Sequence, residues 1–246
     1  MNIEDIQEFD PQKMYQTYDN WSTYSEDAFN KELSKLQLQD IDHIVLAGMG
    51  GSGAIGDVIS AILSREDIHV SNVKGYLLPK TVDERTLVIS TSISGNTKET
   101  LEILDNKSKS NAKFVAISSG GIMKEKCLKN SITHYDIPMI HSPRASFTVF
   151  LYSILNIFED VLPVQKNEVF ESLGKMKELQ KRINSDNLEQ NNPSLDLAKK
   201  INSNPLIYYP DGLKAAAIRF KNSLQENVKI HASIEDVIEA SHNSIS

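Results

Sequence analysis

The sequence predicts an α/β fold, a doubly wound, five-stranded parallel sheet followed by a second, smaller and incomplete α/β lobe. Three observations predict it. Short β-branched runs alternate with helical stretches between residues 44 and 136, the pattern of strand–helix–strand crossover units. Three of those runs end in Ser/Gly-rich loops, and a doubly wound sheet places its ligands at the carboxyl ends of its strands. A chain of 246 residues, 40% of them hydrophobic, has enough interior to bury a core.

Taken in order, residues 1–38 read as a helical N-terminal arm with Trp21, Tyr24, Phe29 and Leu33 as packing candidates. Strands are expected at residues 44–47, 68–73, 86–90, 113–117 and 133–136. Helices are expected at 54–64, 97–107 and 122–128, and a long apolar helix at 145–161 closes a first domain of residues 39–162. Residues 163–193 form a linker that is helical from Glu168 to Ile183 and polar from Asn184 to Pro193. A partial second domain, 194–246, offers a strand at 205–209, a helix at 213–226 and a strand at 228–232.

Chemistry concentrates in the loops. Thr86-Leu87-Val88-Ile89 feeds Ser90-Thr91-Ser92-Ile93-Ser94-Gly95-Asn96-Thr97, and an amphipathic helix follows. Hydroxyls and unpaired backbone N–H groups at the positive end of a helix make a seat for phosphate. No lysine precedes the helix, so this is not a Walker A loop. Upstream, Gly48-Met49-Gly50-Gly51-Ser52-Gly53 follows an apolar run and satisfies G-x-G-x-x-G. A dinucleotide site, and with it an oxidoreductase, has to be weighed on that ground. Such a site wants an acidic residue at the end of the second strand, about 20 residues on. Here Glu66 and Asp67 precede that strand, so a simpler phosphate ligand ranks above a dinucleotide. Ser118-Ser119-Gly120-Gly121 supplies a third loop of the same kind.

Composition narrows the classes. A net charge of −7 without a basic stripe argues against nucleic-acid partners. No run approaches the ~20 apolar residues of a membrane span, and the acidic start lacks a secretory signal's basic and apolar regions. Cys127 is the single cysteine, which excludes an internal disulfide and reads as a small buried hydrophobe. A cytoplasmic protein is expected. His43, His69, His134, His141 and His231 show no metal-ligand spacing, so no metal and no cofactor is expected.

Taken together, Gly48–Gly53, Ser92–Thr97, Ser119-Gly120-Gly121, Pro143-Arg144-Ala145, Glu226-Asn227-Val228-Lys229 and His242-Asn243 resemble the motifs of the bifunctional phosphoglucose/phosphomannose isomerases, a family built from two sugar isomerase (SIS) domains. The resemblance covers nearly the whole chain. It implies that Gly51, Ser52, Ser92, Ser94 and Thr97 hold the sugar phosphate and that Arg144 reaches the same site. It also implies that Glu226 is the catalytic base and His242 the ring-opening histidine. The implied reaction interconverts glucose 6-phosphate or mannose 6-phosphate with fructose 6-phosphate through a cis-enediol. The implied assembly is a homodimer with a shared active site. The other SIS reading is a non-catalytic protein that senses a sugar phosphate. Family members read His-Asn-Glu-Ile and carry a catalytic lysine farther on, whereas this sequence has Ser244-Ile245 after Asn243 and no lysine after Lys229. Either the protein is naturally short or a last segment is missing from this sequence; if it is naturally short, the departure implies weakened turnover with sugar-phosphate affinity retained.

Overall fold

The computed structural model describes residues 2–188 and 191–243. Ser244 and Ile245 of the last motif lie outside the described residues, as do residues 189 and 190 of the expected linker. Two compact units emerge, each assembled from two stretches of chain.

One unit comprises Leu38–Met139 and the chain from Asn204 onward. Its parallel sheet joins β1 (His43–Ala47), β2 (His69–Val73), β3 (Thr86–Ser92), β4 (Lys113–Ser118) and β5 (Thr133–Asp136) in the order β2-β1-β3-β4-β5. Every residue of β1 and β3 is buried, as a sheet covered on both faces requires. Its helices are α4 (Gly50–Ile62), α5 (Lys98–Asp105) and α6 (Gly121–Lys129), numbered after the three helices that precede β1. Val45, Val88 and Ala116 pack with Ile103 and Leu104 of α5 and with Met123 and Cys127 of α6. The adjacent strand residue Leu46 points to the other face, where a Cβ on Gly56 of α4 would come within 3.2 Å of it. Helices therefore cover both faces, and the sheet is doubly wound.

The same unit carries a second βαβ element. Strand β6 (Leu206–Tyr209) pairs in parallel with β7 (Ser233–Asp236), and helix α10 (Lys214–Ser223) makes the crossover and packs on α4. Helix α11 (Val237–Asn243) follows β7. The strand expected at 228–232 is displaced. A π-helical turn, Leu224–Val228, prolongs α10, and Lys229 then adopts a left-handed conformation (φ 62°). The β-branched Val228 thus falls in the turn and Ile230 in the chain after it, and pairing begins only at Ser233.

The other unit, up to Gln37 with Ile140–Ser203, is helical. It holds α1 (Ile3–Phe9), α2 (Met14–Asp19), α3 (Trp21–Asn30), α7 (Phe147–Ile157), α8 (Lys166–Ile183) and α9 (Pro193–Lys200). Buried Asn156 of α7 donates from Nδ2 to the carbonyls of Ala28 and Lys31, groups that the end of α3 leaves without intrahelical partners. Phe29 and Phe170 meet edge to face with centroids 5.6 Å apart, tying α3 to α8. Helix α9 arises where the sequence suggests polar linker and domain start. Buried Asn192 accepts from the N–H groups of Ser194 and Leu195, and proline occupies the first turn, a strong start signal.

At the amino edge of the sheet, the His43 and His69 rings lie 4.6 Å apart. Both direct a ring nitrogen at Ser71 Oγ, at 3.0 and 3.2 Å. Burial, and secondly the neighbouring His69, lower the His43 pKa, against the backbone of Thr81 and the charges of Asp83 and Asp42. The unfolded chain then binds a proton near pH 6.5 that folded His43 resists. Stability is therefore complete above that pH and falls as pH drops toward the lowered folded value. Denaturant titrations at pH 7.5 and 5.5 are expected to show lower stability at the acidic value. The difference should shrink in His43→Gln, by no more than the one-proton limit of about 1.4 kcal/mol per pH unit.

Candidate functional site

The strand order reverses direction between β1 and β3, the position at which open α/β sheets form their ligand crevice. Register brings the loops level: Ala47 of β1 is opposite Ser90 of β3, and Ser92 is opposite Ser118 of β4. The loops 48–53, 92–97 and 118–121 thus leave three adjacent strands side by side.

Hydrogen bonds lock them together at one residue. The N–H of Ile93 donates to Ser52 Oγ in the first loop, at 3.2 Å. The Ile93 carbonyl accepts from the Ser119 hydroxyl at 2.7 Å and from its N–H at 3.1 Å, both in the third loop. Ser92 Oγ donates to Thr97 Oγ1 at 2.9 Å and accepts from the Gly95 N–H at 3.1 Å. Ser94 Oγ accepts from the Asn96 N–H at 3.3 Å. Asn96 Oδ1 accepts from the Ile122 N–H at 3.2 Å, and the Gly95 carbonyl from the Met123 N–H at 2.9 Å. The first turn of α6 is thereby held by the second loop.

Backbone conformation explains the glycines. Gly95 has φ +72°, and a Cβ there would lie 1.9 Å from the Gly120 carbonyl oxygen. Only a residue without a side chain permits that approach. Helix α4 starts at Gly50, four residues before the expected position, because the glycine loop itself forms its first turn, with the Gly53 N–H reaching the Met49 carbonyl. The N–H groups ahead of Gly53 at this helix start, and those that open α5 after Thr97, are left for an external acceptor. Ser52 and Ser92 are buried, while Ser94 and Thr97 are half-buried at the mouth.

Behind the third loop, Ser118 Oγ lies 2.8 Å from His134 Nε2 and donates to the Gly120 carbonyl. Burial, opposed by Asp136, lowers the His134 pKa. A half-buried histidine that supports a loop was not legible in the sequence, because it becomes a neighbour of Ser118 only through the β4–β5 pairing. Cys127 is buried and its thiol is pushed up to about 11 by burial, the inert state expected of it.

The other candidate residues stand apart from the loops in sequence and element. Glu226 is half-buried in the π-helical turn after α10, within the sheet unit. His242 is exposed in the last turn of α11. Arg144 belongs to the helical unit, half-buried ahead of α7. Among the described residues, no helix is long and apolar enough to cross a membrane and no group of three His, Cys, Asp or Glu side chains is placed to hold a metal.

Comparison with known proteins agrees with this geometry. Residues 37–151 match the SIS domain family, and residues 190–246 match the bacterial phospho-glucose isomerase C-terminal SIS domain. A glucosamine-6-phosphate deaminase from Thermotoga maritima has the same fold, with a TM-score of 0.71 at 18% identity over 94% of this chain and 72% of that one. Sheet order, loops and matches define a SIS-domain protein. Within that class the chain is similar to the bifunctional phosphoglucose/phosphomannose isomerases. It is 32% identical to the Caldicellulosiruptor bescii member over 85% of this chain and 63% of that one, and 28% identical to the Pyrobaculum aerophilum member over 95% and 73%. A D-glucosamine-6-phosphate 4-epimerase from Sulfolobus acidocaldarius is 27% identical over 94% and 72%. The chain spans a little under two thirds of the length of the first of these relatives, at 63%.

Two glycines separate conformational from steric demand. Gly50 has φ +52°, and a Cβ added there would meet nothing within 4 Å, whereas Gly95 combines positive φ with a 1.9 Å clash. Gly50→Ala is expected to cost about 1–2 kcal/mol, the penalty of a left-handed backbone. Gly95→Ala should cost more than that and disrupt the loop junction, as read by denaturant titration.

Proposed function

We propose that this chain is an aldose–ketose isomerase acting on glucose 6-phosphate and mannose 6-phosphate, with fructose 6-phosphate as the common ketose. The observation that carries the reading is the convergence of three Ser/Gly loops, bonded to one another through Ile93, at the β1/β3 switch point. Gly51, Ser52, Ser92, Ser94 and Thr97 are assigned to the phosphate. Uncharged hydroxyls and helix-start N–H groups suit it, because fixed donors and the helix dipole favour an anion without a lysine.

Glu226 is assigned as the base. In the open aldose it takes the proton from C2 and returns it to C1, while a hydroxyl proton moves from O2 to O1. Bonds and charges balance within the sugar and the one carboxylate. Glucose 6-phosphate and mannose 6-phosphate differ only at C2, so both lead to the same enediol. A single site serves either sugar for that reason. Arg144 is assigned to the negative charge that grows on the enediolate oxygens. His242 is assigned to ring opening, a proton transfer that an imidazole can perform. The reading includes a cytoplasmic homodimer in which the partner subunit supplies the ring-opening histidine.

A coupled assay over the three hexose phosphates, with glucosamine 6-phosphate as a fourth arm, tests the activity. Turnover of glucose and mannose 6-phosphates is expected. Binding without turnover would instead favour a sugar-phosphate sensor. Thermal shifts with fructose 6-phosphate at 100 times its Kd should correspond to roughly 2.7 kcal/mol of stabilisation, and NAD should give none. Glu226→Gln should lower kcat by about 10²–10⁴-fold with little change in that thermal shift. Mixing Glu226→Gln chains with His242→Ala chains should restore part of the activity, and a mixture as inactive as its parents would count against the shared site.

A further inference from the structure

The helical unit contains a cavity of about 550 Å³ that the loop chemistry does not use. Trp21 of α3, Phe147 of α7 and Met176 of α8 form apolar walls. Tyr18 meets Trp21 edge to face at 4.8 Å, and Trp21 lies tilted against Phe147 at 6.3 Å. The volume falls in the range of small-molecule sites, about 300–1,000 Å³.

Three polar atoms distinguish this cavity from an ordinary apolar crevice. The Tyr18 hydroxyl, Thr148 Oγ1 and Asn184 Oδ1 are buried and have no hydrogen-bond partner among the described residues, and all three residues line the cavity. Thr148 is only 3% exposed. Buried polar atoms are nearly always paired, so three orphans around one void mark a place shaped for a polar ligand group. Several of the surrounding polar atoms are already committed. Trp21 Nε1 donates to the Ala145 carbonyl at 2.7 Å, and Gln180 Oε1 accepts from the Ser22 N–H at 2.9 Å. Asp19, the charged residue of the lining, accepts from both the N–H and the hydroxyl of Ser185. Among the described residues no lysine or arginine lines the space, so none would offset a phosphate or carboxylate there.

We propose that this cavity binds an uncharged, ring-sized molecule whose hydroxyl or N–H group pairs with Tyr18, Thr148 and Asn184. The aromatic walls take the ring, the two hydroxyls can donate or accept, and the amide oxygen accepts. A sugar phosphate is excluded by its charge, so occupancy is independent of the isomerase reading.

The test uses 4-fluorobenzyl alcohol and 4-fluorotoluene, a pair that differs by one hydroxyl, followed by fluorine NMR. Trp21 is the only tryptophan of the chain, and its emission reports on the cavity wall directly. Saturable one-to-one binding is expected, with the alcohol about fivefold tighter than the toluene, the worth of one net hydrogen bond. Thr148→Val should erase much of that preference while leaving thermal stability equal or higher, since it removes an unpaired buried group. Thr148→Ser should retain the preference, and Tyr18→Phe should weaken it without touching α7. Fructose 6-phosphate should not displace the alcohol. The proposal is overturned by absence of saturation, by equal affinity for the two probes, or by an unchanged preference in both Thr148→Val and Tyr18→Phe. Displacement by fructose 6-phosphate would overturn it too. So would Trp21 emission that shifts with protein concentration alone, which would show a second copy covering the cavity.

Discussion

The backbone of Ile93 is the constraint on which the candidate site depends. Its N–H is taken by Ser52 from the loop after β1, and its carbonyl by Ser119 from the loop after β4. Three loops that are distant in sequence are thereby fixed by the two polar atoms of one backbone position, which is itself buried. The sheet makes this arrangement available, because β1, β3 and β4 are consecutive neighbours and their register ends them at one level. Removing a hydroxyl from Ser52 would strand a buried N–H, a loss of about 1–3 kcal/mol, and would free the first loop from the second.

The glycines follow from that junction. Once Ser119 is drawn onto Ile93, the Gly95 and Gly120 backbones are pressed together and Gly121 comes against the Ser94 carbonyl. Positive φ at Gly95, Gly120 and Gly121 lets the chain turn without a side chain in the contact. A loop so constrained presents its remaining donors in fixed directions, the preorganisation that a bound anion and a developing transition-state charge both require.

Much of this was legible in the sequence, for physical reasons that also mark where legibility stops. The five strands of the main sheet fall within two residues of expectation, and β1 and β3, buried at every position, read as apolar runs with a Ser/Gly stop. The loops were legible because strand ends and glycines are written in residue types. The Ile93 bridge was not, since a backbone amide leaves no mark in side-chain composition. Helix α4 starts early because a glycine-rich stretch can be a first helical turn as well as a loop. Strand β7 lies later than expected because the π-helical turn absorbs Val228, whose β-branching argued for a strand. Helix α9 was hidden in a polar stretch, where the start signal is Asn192 and Pro193 rather than an apolar face.

Electrostatics decide how such a site can select a ligand. The chain carries a net charge of −7, so its overall field does not draw anions in. Two lysines near the loops are already engaged: Lys74, whose Cε lies 3.3 Å from a Cβ placed on Gly53, pairs with Asp57 at 2.6 Å, and Lys124 of α6 pairs with Asp136 at 2.6 Å. An anion held at the β1/β3 switch point would therefore be recognised by short-range, oriented donors instead of by diffuse positive charge. Such recognition depends on distance and direction far more than on ionic strength, because buried dipoles are screened little by salt. It places discrimination in the geometry of the Ser/Gly loops, and that geometry is held by Ile93.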